Sequence, residues 1–542
     1  MSPRTLSLLV LAFVLFYFSA LGTMPLMEPD EGRYSEIPRE MLLSGDFVTP
    51  RLNGFVYLEK PPLFYWGNAL CLRLFGENEF AARSFTAAVS VAGILLTYWM
   101  GSCFAGWRTG LFSAIVLSTS LYYYVIGRLN TLDMTLAVTL FLAIFPAYLY
   151  LSGKRESRLY LVVSYGAAGL AFLTKGLVGA VFPAAIIVSW LALSRRHREI
   201  PRAISLPGIL LFLAVALPWL AAVQRNNPDF LWFFFVHEQI LRYTTKIHRH
   251  VQPFWYFIPV VIGGFAPWIA FLRRVFLAVR DARERFLPRE DLLFLLSWVL
   301  FIFLFFSFSG SKLPTYLAPL FPPLAVLFGR GLDLWAERED GSTRCRSPLG
   351  LAALLAAAIF LLPSFSKHRL DPAEWTSLAA LPIVLILLWG TVPLFIRRLS
   401  AERVILLSFL LLALFLTSLN RPAARHIGSY KSVKEMAAVL ASDMRPGDVV
   451  AQYRTYRHGI PFYTKRRAVL VEEAGELEFG ITRAKDRGEY FLDAAGFQRL
   501  WGSGARVFCV FKRDAMPLIL EKFPGHRLLY RSDAGILIVN RP

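Results

Sequence analysis

Apolar runs long enough to cross a bilayer recur along three quarters of the chain, and they restrict the fold more than any other feature. A spanning helix needs about 20 largely apolar residues, because every backbone polar group must be satisfied within the segment. Such runs fall near residues 6–22, 80–100, 108–126, 132–151, 159–173, 176–193, 205–223, 254–272, 292–308, 315–330, 349–365, 378–396 and 403–418. They predict about 13 transmembrane helices. The apolar segment 62–76 is short and is expected to begin the second span as one long tilted helix. Composition agrees: 56% of the 542 residues are hydrophobic and only 18% are charged. That balance argues against a set of soluble domains.

A net charge of +20 would suggest nucleic acid in a soluble protein. Here the cations cluster in short loops between apolar runs, so topology and anionic membrane lipid account for them and no nucleic acid is expected. The loops GWRTG, SGKRESR, SRRHREIPR and IRRLSAER are dense in Arg and Lys, which places them on the cytoplasmic side. The N-terminal run follows Arg4 without a small-residue cleavage site, and reads as an uncleaved first span. Thirteen spans then put residues 420–542 on the opposite, periplasmic side. That tail alternates short β-type runs (GDVVAQY, AVLVEE, ARVFCVFKR, GILIVNRP) with the helical spacings KSVKEMAAVLA and AAGFQRLW, which predict a small α/β domain. The expected division is a transmembrane domain over 1–419, whose first loop at 24–62 carries the site, and a soluble domain over 420–542. Cys71, Cys103, Cys345 and Cys509 are scattered and predict neither a disulfide framework nor a zinc cluster.

The first outer loop is unusually polar. EPDEGRYSEIPREMLLSGDFVTPRLNGFVYLEKPPLFYW holds charges of both signs between two apolar runs, and ionisable groups at a bilayer suggest a site. Pro29, the acids that follow it and Gly45 predict a helix from Asp30 to about Leu43. Other outer loops add Asp133 in GRLNTLD, Lys175 in LTKG, His237 and Arg242 in the long loop 224–253, and Tyr316 in SGSKLPTY.

PDEGRYSEIPREML, followed by YLEKPPLFYW, resembles the first periplasmic loop of the lipid A aminoarabinose transferases, within the protein-mannosyltransferase-like group of membrane glycosyltransferases. The resemblance implies a GT-C fold in the bacterial inner membrane with its active site on the periplasmic face. It implies transfer of 4-amino-4-deoxy-L-arabinose from undecaprenyl phosphate to a lipid A phosphate, and with it resistance to polymyxin. By resemblance Arg33, Tyr57, Lys60, Lys175, Arg242 and Tyr316 bind the donor phosphate, Glu59 and His237 hold a divalent metal such as zinc, and Asp30, Glu31 and Asp133 are the catalytic carboxylates. A lipid A phosphate has a second pKa of about 6, so it needs little help from a general base. That leaves three tasks open for Asp30 and Asp133: orienting the acceptor, stabilising oxocarbenium charge, or binding the donor's amine. Another polyprenyl-phosphate sugar (mannose, galactosamine) or a protein hydroxyl acceptor would suit the same fold. A lipid flippase or transporter would instead place its charges at mid-bilayer in broken helices.

Overall fold

The computed structural model describes residues 3–241, 252–338, 347–366, 371–395, 400–523 and 525–541. The chain divides into two compact units, the first comprising Met1–Ala20, Thr86–Phe365 and Ala373–Leu419, the second Leu21–Phe85, Ser366–Pro372 and Asn420–Pro542.

The first unit is helical. Over the described residues of the whole chain, eight helices are long and apolar enough to cross a membrane. They become nine if Phe254–Gly264 and Trp268–Asp281, bent by 82°, form one span. Each of the 13 expected spans falls on a helix, yet several of these are short: Arg4–Phe18, Leu159–Lys175 and Val178–Leu193 lack the length of a full crossing. Two expected spans lie on the single stretch Glu79–Thr119, which breaks at Ala105 and Gly106. Among the described residues, length and composition alone give eight or nine crossings, and the count of 13 is not confirmed.

Asp133–Leu151 is almost wholly buried among the other helices. Such burial suits its composition, apolar on all sides between a polar group at either end. Asp133 lies in its first turn, and near its last turn Tyr148 donates to the buried Asp291, which also pairs with Lys154. Upstream, Arg128 closes the end of the first helix by donating to the carbonyls of Phe16 at 3.1 Å, Tyr17 at 2.8 Å and Ser19 at 2.6 Å. A guanidinium with several donors is well suited to the free carbonyls of a helix C-terminus.

The second unit has different boundaries from a division at residue 420, because the first outer loop packs with the C-terminal domain. Its helix Asp30–Ser44 stops at Gly45, where φ is +70°, a left-handed conformation open to glycine. A two-stranded hairpin follows, β1 (Arg51–Leu52) and β2 (Phe55–Val56). Asn53 and Gly54 both have positive φ, as a tight hairpin turn requires. Leu63–Phe75 is a separate helix ended by Gly76 and belongs to this unit, so the expectation that it opens the second span is corrected. At 13 residues it is too short for most of a bilayer.

The C-terminal residues form a six-stranded sheet from β3 (Val449–Tyr453), β4 (Val469–Val471), β5 (Phe491–Leu492), β6 (Val507–Phe511), β7 (Arg527–Ser532) and β8 (Gly535–Val539), in the order β5-β4-β3-β6-β8-β7. The first four are parallel, and β8 and β7 complete the edge antiparallel. Burial on both faces explains the continuous apolar runs. Val507, Cys509 and Phe511 point into one core, while Phe508 and Val510 point into the other.

Candidate functional site

Each unit carries its own cluster of predicted site residues. In the first unit, Lys175 ends one helix and Asp133 begins its neighbour, with Lys175 Nζ 2.6 Å from Asp133 Oδ1. The same ammonium lies 4.7 Å from the centre of the Tyr316 ring, a cation–π distance. Asp133, Lys175 and Tyr316, separated by up to 183 positions in the chain, are thus one group. Their side chains come from two helix ends and the tight 3-10 turn Pro314–Leu320. Tyr122 is close enough to Asp133 to feel its charge. Lys312, four residues before Tyr316, is buried and donates to the Ser309 carbonyl at 2.6 Å.

In the second unit, helix Asp30–Ser44 presents Asp30 and Arg33 one turn apart, bonded to one another. Asp30 remains exposed, with 55% of its side-chain surface open, whereas Arg33 lies beneath it at 13%. The second amino group of Arg33 bonds to Glu476, a residue of the C-terminal domain. Tyr57, fully buried, donates to Glu59 Oε2 at 3.1 Å, and Lys60 Nζ stands 3.6 Å from that oxygen. Pro61 and Pro62 follow directly, and their fixed φ limits where the lysine can move. Burial raises the Tyr57 phenol well above its ordinary value despite the opposing charge of Arg33. It is therefore a hydrogen-bond donor at neutral pH.

Glu476 and His458 are site neighbours that sequence reasoning missed. Burial would raise the Glu476 carboxyl, but Arg33 first and then His458 pull it down to about 2. His458 Nε2 lies 2.6 Å from Glu476 Oε1, and its Nδ1 lies 3.5 Å from Glu28 Oε2. Burial acts to lower the imidazole's pKa, and the neighbouring carboxylates of Glu28 and Glu476 outweigh it, leaving the value above the ordinary one.

Glu31, expected among the catalytic carboxylates, has a different task. It is 2% exposed, and both oxygens accept from Arg83, each at 2.7 Å. Arg83 also donates to the carbonyls of Leu21 and Pro25. A carboxylate so engaged holds the loop together. Arg242 lies outside the described residues.

The expected metal ligands, Glu59 and His237, belong to different units. The Glu59 carboxylate accepts from Tyr57 and faces the Lys60 ammonium, a fixed cation with which a divalent ion would compete. The His237 ring packs face to face on Phe233, with centroids 5.1 Å apart. Among the described residues no group of three or more His, Cys, Asp and Glu side chains is arranged to hold a metal ion.

Comparison with known proteins fixes the class first. The fold is that of the GT-C membrane glycosyltransferases. It is shared, as fold alone, with the archaeal oligosaccharyltransferase AglB from Archaeoglobus fulgidus (12% identity, TM-score 0.50, 93% of this chain and 69% of that one). ArnT from Cupriavidus metallidurans, in the crystal structure bound to undecaprenyl phosphate, matches far more closely, with a TM-score of 0.85 at 29% identity over 99% of this chain and 98% of that chain. Residues 59–221 match the dolichyl-phosphate-mannose-protein mannosyltransferase family, and residues 436–541 match the aminoarabinose transferase C-terminal domain. The undecaprenyl phosphate-alpha-4-amino-4-deoxy-L-arabinose arabinosyl transferase of Aeromonas hydrophila is 31% identical over 494 residues, 90% of this chain and 89% of that protein. The chain belongs to the undecaprenyl phosphate-aminoarabinose arabinosyl transferase family.

Proposed function

We propose that the protein transfers 4-amino-4-deoxy-L-arabinose from undecaprenyl phosphate to a phosphate of lipid A, at the periplasmic face of the bacterial inner membrane. The observation that carries this reading is similarity over nine tenths of the chain to a transferase named for that donor. The cationic cluster of Arg33 and Lys60 beside Tyr57 supports it, because charge-assisted bonds from Arg and Lys suit a lipid-borne phosphate.

In this reaction an ionised lipid A phosphate oxygen attacks the anomeric carbon. The bond from that carbon to the donor phosphate oxygen breaks, and undecaprenyl phosphate leaves with the electron pair. Negative charge grows on the leaving phosphate, where Lys60 and Arg33 stabilise it. Positive charge grows on the sugar ring, and the exposed carboxylate of Asp30 suits that charge or the donor's amine. Lys175, with Asp133 fixing its ammonium and Tyr316 beside it, offers a second phosphate-binding group. The product carries an amino group where lipid A was anionic, so cationic peptides such as polymyxin bind it less.

The test is reconstitution of purified protein with undecaprenyl-phosphate aminoarabinose and lipid A. Sugar-modified lipid A and free undecaprenyl phosphate should appear in equal amounts. Release of the sugar to water alone, or transfer only to a protein hydroxyl, would refute the assignment of the acceptor.

A further inference from the structure

The C-terminal domain contributes two ionisable side chains to the first loop, the buried His458 and the half-buried Glu476, and they complete a continuous line of ionisable groups. Glu28, His458, Glu476, Arg33 and Asp30 follow one another, each in contact with the next. The inner members are well enclosed: Glu28 is 8% and His458 6% exposed. The backbone fixes the same contact. Glu28 Oε2 accepts from the His458 N–H at 2.8 Å, and Oε1 accepts from the Gly459 N–H at 2.6 Å. Gly32 permits this approach, because a Cβ there would lie 2.7 Å from the Gly459 nitrogen. Asn53 adds a second fixed point, exchanging two bonds of 2.8 Å with the backbone of Ala468.

A fold needing only attachment at this surface could use apolar packing, as it does where Phe462 meets Leu26, Leu72, Ala81 and Ala82. Burying charges is costly unless each is paired, so this line of them calls for a specific use. Its outer end is Arg33, held on one side by Glu476 and on the other by Asp30. An arginine with rotamer freedom would lose entropy on gripping a phosphate, and a carboxylate brace removes that cost before the ligand arrives.

We propose that His458, acting through Glu476, is a positioning residue for Arg33, so that the C-terminal domain sets the geometry of donor-phosphate binding through Glu476, 443 residues further along the chain than Arg33. This rests on the proposed function, in which Arg33 contacts the donor phosphate. His458 sets the orientation of Glu476, and Glu476 directs the guanidinium. Neither needs to touch the substrate.

The experiment uses purified full-length enzyme assayed across donor and acceptor concentrations as wild type, His458→Gln, Arg33→Lys and the double variant. His458→Gln should raise the donor KM about tenfold, the scale of one lost charge-assisted contact, and leave the acceptor KM unchanged. In the Arg33→Lys background it should add almost nothing, because the two changes remove one function. A donor KM within about twofold of wild type in folded His458→Gln, or effects that multiply in the double variant, would overturn the inference. If His458→Gln cannot be recovered folded, Glu476→Gln is read by the same criteria. Wild-type protein without donor-dependent transfer would remove the proposed function and this inference together. An active wild type with unaltered His458→Gln and Glu476→Gln kinetics removes the inference alone.

Discussion

Lys175 Nζ lies 2.6 Å from Asp133 Oδ1, across the facing ends of two consecutive helices. The side chains are only partly exposed, at 20% and 12%, so the pair is screened less than a surface ion pair. Asp133 is the carboxylate partner of Lys175 and fixes where its ammonium points. Loss of either residue should therefore produce the same defect. We expect Asp133→Ala and Lys175→Ala each to reduce kcat/KM for transfer, and the double variant to be no worse than the weaker single one. Effects that multiply would show that the two act separately.

Lys60 should affect the chemical step as well as binding. If its contact strengthens as the phosphate departs, Lys60→Ala lowers kcat and not only the apparent affinity for donor. One charge-assisted contact is worth about 1.5–3 kcal/mol, or about ten- to a hundredfold in kcat/KM. Initial rates across donor concentrations check it, and an unchanged kcat/KM would exclude Lys60 from the site.

Arg83 is expected to govern stability. It is 2% exposed and bonds to both oxygens of Glu31 as well as to loop carbonyls. Removing one partner of a buried pair costs about 3–5 kcal/mol. Arg83→Ala should therefore lower the thermal unfolding midpoint and the folded yield sharply. Full stability with lost activity would return Glu31 to the list of catalytic residues.

The pH dependence of stability should carry a signature from Glu40. Burial first, and then the neighbouring Glu36, raise its carboxyl from an ordinary value of 4.5 to about 8, against the Gly54 N–H and Arg39. The folded state therefore holds a proton that the unfolded chain releases near 4.5, and the stability this contributes is lost as pH rises from there through about 8. Glu476 titrates in a different window, because its value is lowered and its contribution disappears only as pH falls from 4.5 towards about 2. Glu40→Gln should flatten the decline in unfolding midpoint between pH ~5 and ~8. An unchanged slope would contradict the assignment.

What the sequence made legible follows the range of the physics. The helix from Asp30 and its stop at Gly45 are local signals, and both are present in the structure. Asn53-Gly54 is an equally local hairpin signal, and the structure has its turn there. Strand β7 is harder to read, because Arg527 and Leu528 are exposed and a register shift between Leu528 and Tyr530 interrupts its alternation. The clustering of Asp30, Arg33, Tyr57 and Lys60 could be anticipated, since all four lie within one short stretch. The bond from Arg33 to Glu476 could not: GELEFG carries no motif, and only folding brings it to the first loop. The pairing of Glu31 with Arg83, 52 residues away, is hidden for the same reason.

The most direct test of the whole account is mass spectrometry of lipid A from a host lacking its own aminoarabinose transferase but supplied with the donor. Expression of this chain should add an aminoarabinose to a lipid A phosphate, and an equally expressed Asp30→Asn variant should leave lipid A unmodified. Unmodified lipid A in cells that hold the folded wild-type protein and the donor would contradict the account.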